Sequence, residues 1–127
     1  MIKILIIDDD TTLSQIYISV LKRNGYNVTY TQNSTEAYAK IEKNDFSIVL
    51  LDYNLTPSKE LGVDLIKPLK KMMPNCKIAI LTNHNEKGLE KRALNNGADI
   101  FQIKINMASA DLLLALIDKL LKLPSTR

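Results

Sequence analysis

Short, continuously apolar runs alternate along this chain with longer segments whose apolar residues recur every three or four positions. The short runs have strand length, and the longer segments carry the period of helices packed on one face. Strands are expected near Lys3 to Ile7, Asn27 to Thr31, Ser47 to Leu51, Lys77 to Leu81 and Ile100 to Ile103. A first helix is expected from about Thr12 to Asn24, with Leu13, Ile16, Tyr17, Val20 and Leu21 at helical spacing and Gly25 as its stop. A second runs from about Ser34 to Glu42, presenting Ala37, Tyr38 and Ile41 inward and capped by Asn33 or Ser34. The third follows Gly62 through Val63, Leu65, Ile66 and Leu69, but Pro68 falls inside it, so it either kinks there or becomes regular later. Asn85 and Glu86 open a fourth that ends at Gly97, and Ala108 to Lys122 forms a fifth, strongly apolar through Leu112, Leu113, Leu116, Ile117 and Leu120. Strand and helix in strict alternation predict an α/β fold: a doubly wound sheet of five parallel strands.

Composition narrows the setting. The chain has 127 residues, 46% hydrophobic and 24% charged, which suits one domain spanning 1–127 with residues 124–127 as a tail or linker remnant. A formal charge of +3, with no like-charge block longer than Asp8-Asp9-Asp10, argues against direct nucleic-acid binding. Membrane insertion is not expected, because every apolar stretch is far shorter than a span, and the start lacks a signal-peptide pattern; a cytoplasmic location is expected. The single cysteine, Cys76, has no partner for an intramolecular disulfide and reads as a small half-buried hydrophobe rather than a nucleophile.

The chemistry gathers at strand ends. One apolar run ends in Asp52 and another in Asp8-Asp9-Asp10, so several like charges meet at one edge of the sheet and need a cation, protons, or both. Two further runs end in Thr82 and Lys104, adding a hydroxyl and an ammonium. In doubly wound sheets ligands sit outside the carboxyl ends of the strands. Carboxylates, hydroxyl and amine together suggest a metal-assisted phosphoryl site. Each residue also has a plainer reading: Asp10 as a helix cap, Thr82 as a strand-end residue, Lys104 as an ion pair with Asp52, and His84 as a solvated loop residue.

The ordered set Ile4-Leu5-Ile6-Ile7-Asp8-Asp9-Asp10, Val49-Leu50-Leu51-Asp52 followed by Asn54, Leu81-Thr82, Gly97-Ala98-Asp99 and Phe101-Gln102-Ile103-Lys104 resembles the receiver domains of two-component response regulators across nearly the whole chain. That resemblance implies a flavodoxin-like sheet of strand order 2-1-3-4-5. It implies a signalling switch in which Asp52 is phosphorylated by a histidine kinase or a histidine phosphotransfer protein. Asp9 and Asp52, with the Asn54 backbone carbonyl and waters, would hold a divalent ion, and Asp8 would act mainly through a metal-bound water. Hard oxygen ligands favour magnesium. Lys104 and Thr82 would meet phosphoryl oxygens, and Phe101 stands where receivers carry a switching aromatic. The surface of the fourth helix, fifth strand and fifth helix would then engage a homodimer partner or a downstream effector. Such a protein is not an enzyme beyond its own phosphoryl transfer and dephosphorylation.

The chain departs from the family pattern in places. Ile105 follows Lys104 where proline is usual, and a non-proline cis bond costs several kcal/mol, so a trans bond is expected. Asn83 stands where a small residue is usual; with His84 it can crowd the phosphoryl entrance, or it can turn outward and cap the fourth helix. The loop from Asp52 to Gly62 is longer than common by about two residues, within the error of such boundaries. Two alternative functions stay open: a metal-dependent aspartyl phosphohydrolase, disfavoured by Asn54 at the general-acid position, and a phosphorylation-independent scaffold of the same fold.

Overall fold

The structure, a computed structural model, describes residues 1–55, 60–83, 86–104 and 109–124. In chain order the elements are β1 (Lys3–Ile7), α1 (Thr11–Arg23), β2 (Asn27–Thr31), α2 (Ser34–Ile41), β3 (Ile48–Asp52), the two-residue strands β4 (Asn54–Leu55) and β5 (Glu60–Leu61), a 3-10 turn (Gly62–Leu65), α3 (Ile66–Met72), β6 (Lys77–Thr82), α4 (Leu89–Asn95), β7 (Ile100–Ile103) and α5 (Ala110–Lys122). The main sheet runs β2-β1-β3-β6-β7 with every pair parallel, so its five strands taken alone follow the expected order 2-1-3-4-5.

Side-chain alternation splits the core into two layers. Leu5, Ile7, Val49, Leu51, Ile78 and Ile80 pack with Ala37, Ile66, Leu69 and Ala93 from α2, α3 and α4. Ile4, Ile6, Ile48, Leu50, Ala79 and Leu81 pack on the other face with Tyr17, Leu21, Leu113 and Ile117 from α1 and α5. Burial on both faces is why the central strands read as unbroken apolar runs rather than as alternating ones.

The helices begin as their local chemistry dictates. Asp10 caps α1 by accepting the Leu13 N–H at 3.0 Å, and Asn33 caps α2 by accepting the Glu36 N–H at 2.9 Å. Gly25, at φ +88°, ends α1 in a conformation costly for any residue with a Cβ. Pro68 resolves the question over the third helix: the segment starts as a 3-10 turn, and α3 begins at Ile66, so the proline lies in its first turn, where its missing N–H is not needed.

Other boundaries differ from expectation. The fourth helix begins at Leu89 rather than at Asn85 or Glu86, because Gly88 at φ +91° turns the chain just before it. The fifth begins at Ala110, with Ser109 as its cap; Ala108, its expected start, lies outside the described residues. Ile16 is 50% exposed and Leu112 48%, so neither joins the core: Ser14, Tyr17, Val20 and Leu21 define the buried stripe of α1, and Leu113, Leu116, Ile117 and Leu120 that of α5.

The strand ends far from the acidic cluster are tied by Asp99, which accepts the Ile78 N–H at 2.8 Å and pairs with Lys70 at 2.7 Å. Cys76 lies buried nearby, and burial pushes its thiol up to about 11, which fits the inert reading.

Candidate functional site

Parallel registry brings the chemistry to one edge. Ile7 is level with Thr31 and with Leu51, Asp52 with Leu81, and Thr82 with Ile103. Asp8 and Lys104 each follow directly after their strand, so Asp8, Asp52, Thr82 and Lys104 all stand at the carboxyl ends. Alternation then sorts them. Asp8 continues the face of Ile4 and Ile6, and Asp52 that of Ile48 and Leu50, so both carboxylates belong to the layer of α1 and α5. Thr82 continues the face of Ile78 and Ile80, the layer that Phe101 also packs against.

The centre of the site is a buried triad. Lys104 Nζ lies 2.8 Å from Asp8 Oδ2 and 3.2 Å from Asp52 Oδ1, with only 3% of its side chain exposed. The sequence pointed to a pair with Asp52 alone; the shorter contact is to Asp8. The other Asp8 oxygen, Oδ1, accepts the Asp10 N–H at 2.9 Å, and Asp52 Oδ1 accepts the Asn54 N–H at 3.4 Å. Half-buried Asp9 completes the acids: one carboxylate oxygen from each of Asp8, Asp9 and Asp52 lies within 4.8 Å of the others.

Among the described residues, charge in this pocket does not balance. Two unit charges about 5 Å apart repel by roughly 3 kcal/mol at an effective dielectric of 20. Burial, then the charge of Asp8, pushes the Asp52 carboxyl up to about 7 against the opposing pull of Lys104. For Lys104 burial acts downward, but Asp52 and Asp8 outweigh it, and its pKa is raised. Three clustered carboxylates, all hard oxygen donors, are a donor set suited to a small divalent cation.

The remaining residues divide. Thr82 is buried, and Phe101 half-buried, one strand away on the same face. Asn54 is exposed and opens the β4–β5 ladder, where Asn54 is level with Leu61 and Leu55 with Glu60. Asn83 is exposed and does not cap α4, whose cap position is Gly88; His84 and Ile105 lie outside the described residues.

Gly62 was missed as a site residue. A Cβ built on it would overlap the Asp52 carbonyl oxygen, and its N–H donates to the Tyr53 carbonyl at 2.6 Å. Only a residue without a side chain lets the returning chain pass so close to Asp52. The glycine itself was the available signal, but nothing local says what it passes.

Comparison with known proteins agrees with this geometry. The response regulator receiver domain family matches residues 4–117. The transcriptional regulatory protein KdpE of Staphylococcus aureus is 33% identical over 102 residues, which are 80% of this chain and 43% of that protein. A putative response regulator NtrX-like of Rickettsia bellii is 30% identical over 98 residues, 77% of this chain and 20% of that protein. The chain therefore spans less than half the length of either relative. Among solved structures, a two-component response regulator from Clostridium difficile superposes with a TM-score of 0.87 at 30% identity, covering 96% of this chain and 97% of that one.

Proposed function

Because the chain belongs to the response regulator receiver domain family, we propose that it is a phosphorylation-controlled switch whose single acceptor is Asp52. The observation that carries this reading is the cluster of Asp8, Asp9 and Asp52 within 4.8 Å, with Lys104 bridging the two buried acids. The donor is a phosphohistidine on a histidine kinase or a histidine phosphotransfer protein. An Asp52 carboxylate oxygen attacks phosphorus, the P–N bond breaks, and the imidazole leaves with its electron pair, so an acyl phosphate forms on Asp52. Lys104, already between the carboxylates, turns one ammonium hydrogen to a phosphoryl oxygen. Thr82 donates its hydroxyl to another. Asp9 and Asp52, with the Asn54 carbonyl and with Asp8 acting through water, would hold magnesium, which when bound supplies positive charge to the phosphoryl oxygens.

Phosphorylation adds roughly two negative charges and three acceptor oxygens. Thr82 is drawn toward them, and Phe101, on the same face, follows. The surface of α4, β7 and α5 is the proposed output, toward a second copy or an effector. Supporting this, Leu94 and Leu112 are exposed there, and a cavity of about 190 Å³ is lined by Ile100, Gln102, Leu112 and Leu116. No helix among the described residues is long and apolar enough to cross a membrane. The proposal places the switch in the cytoplasm, with no turnover beyond its own phosphoryl chemistry.

Incubation with acetyl phosphate and magnesium tests the reading by intact mass. Wild type gains one phosphoryl mass, and Asp52→Asn gains none. Full labelling of the variant would move the acceptor elsewhere.

A further inference from the structure

Beneath the acid cluster lies a second polar group that the phosphoryl chemistry does not use. Ser14 and Tyr17 are fully buried, and the hydroxyls of Ser14, Tyr17 and Tyr30 are all shielded from solvent without a hydrogen-bond partner among the described residues. A buried phenol left unpaired costs about 1–3 kcal/mol, so phenylalanine at position 17 would be cheaper if the hydroxyl did nothing.

Three placements aim these groups at Asp8. Tyr30 is level with Ile6 on the neighbouring strand, two residues before Asp8, and packs against the same layer as Ile6. Ser14 and Tyr17, three residues apart, share the buried side of α1. α1 begins beside the acids and descends from them, so Tyr17 starts roughly 9 Å below the first residue of the helix. Helical side chains lean toward the N-terminus, which carries the Tyr17 hydroxyl back up toward the carboxylates. The electrostatics agree: burial raises the Tyr17 phenol most, followed by the charges of Asp8, Asp10 and Asp52. Burial raises Tyr30 as well, with nearby Ser14 acting the other way and Asp8, Asp9 and Asp10 adding to the rise. Asp8 has something to gain from a donor, because Oδ2 meets Lys104 at 2.8 Å but off the hydrogen-bonding direction.

We propose that Tyr17 is a positioning residue for the metal site, its buried hydroxyl, supported by Ser14 and Tyr30, donating to Asp8 through one bound water and holding that carboxylate in the orientation its water-mediated role at the metal requires. Hydrogen bonds of this outer kind are worth about 10–100-fold in metal affinity. The inference rests on the proposed role of Asp8 in binding magnesium.

The test is metal affinity on the full chain without a phosphodonor, by calorimetry with magnesium and by paramagnetic resonance of free manganese. Tyr17→Phe keeps the packing and removes only the oxygen. Its dissociation constant for magnesium should rise about tenfold, and its urea midpoint should fall, because a working hydrogen bond is lost. Ser14→Ala should weaken binding in the same direction and combine less than additively with Tyr17→Phe; it also decides the question if Tyr17→Phe folds poorly. A Tyr17→Phe protein that binds magnesium within twofold of wild type and has a raised urea midpoint overturns the inference, since the hydroxyl is then only an unpaired group. If wild type itself binds no magnesium, the reading of the acid cluster as a metal site fails instead.

Discussion

Asp52→Asn should make the metal-free protein more stable at pH 8 and less so at pH 5. The perturbation keeps the shape and removes one charge from a pocket where Asp52 is only 7% exposed and faces Asp8. The folded pKa is pushed from 3.8 up to about 7, burial being the larger cause and Asp8 the next. A carboxyl whose pKa rises on folding favours the native state at low pH, where it is neutral, and loses that contribution as pH climbs through the folded pKa. One pKa unit is worth about 1.36 kcal/mol, so wild type gives up roughly 4 kcal/mol between pH 4 and pH 7 from this group alone. Asparagine never ionises and gives up none of it. The stability difference between variant and wild type should therefore widen by about 2–3 kcal/mol from pH 5 to pH 8. Urea unfolding followed by circular dichroism in chelator, at both pH values, measures it. Lys104 keeps its 2.8 Å contact to Asp8 in the variant, so the pocket retains a counter-charge. A difference that does not change with pH, or a variant less stable than wild type by the same amount at both, refutes the idea that Asp52 is held under charge strain.

Lys104→Met removes the ammonium that pairs with both buried acids and should cost about 3–5 kcal/mol at pH 8; adding magnesium should restore part of the loss, and a variant as stable as wild type in chelator would show that the ion pairs are energetically idle. Gly62→Ala sets a methyl group against the Asp52 carbonyl oxygen, so that something must shift; stability should fall by about 1–3 kcal/mol and labelling by acetyl phosphate should slow; normal behaviour in both assays would mean that the chain there relaxes freely. Asn83 is exposed and does not cap α4, which leaves it available to crowd the in-line path to phosphorus. Asn83→Ala should then shorten the acyl-phosphate lifetime, and equal decay of the two proteins would reduce Asn83 to a loop residue. In Thr82→Ala, amide shifts on phosphorylation should persist around Asp52 but shrink around Phe101; undiminished shifts at Phe101 would break the proposed coupling.

The strands were legible because each is a local record of its own burial. Ile48 to Leu51 are apolar at every position since helices cover both faces, and the same physics ends the run at a polar group, Asp52. Helix ends were legible where a side chain does the capping, as with Asp10 and Asn33, and illegible where the backbone does, as at Gly88 before α4. Asp8, Asp9, Asp52, Thr82 and Lys104 could be named from the sequence because strand ends in a parallel sheet share one edge. What they do to one another could not. The shorter contact of Lys104 to Asp8 than to Asp52, the passage of Gly62 across the Asp52 carbonyl, and the burial of the Ser14, Tyr17 and Tyr30 hydroxyls all depend on how separate elements meet. Hydrophobic period and capping act over a few residues and so are written locally. The ångström-scale distances that set charge, proton affinity and steric fit depend on how strands register and how α1 and the chain after Asp52 pack against them, which only the assembled core decides.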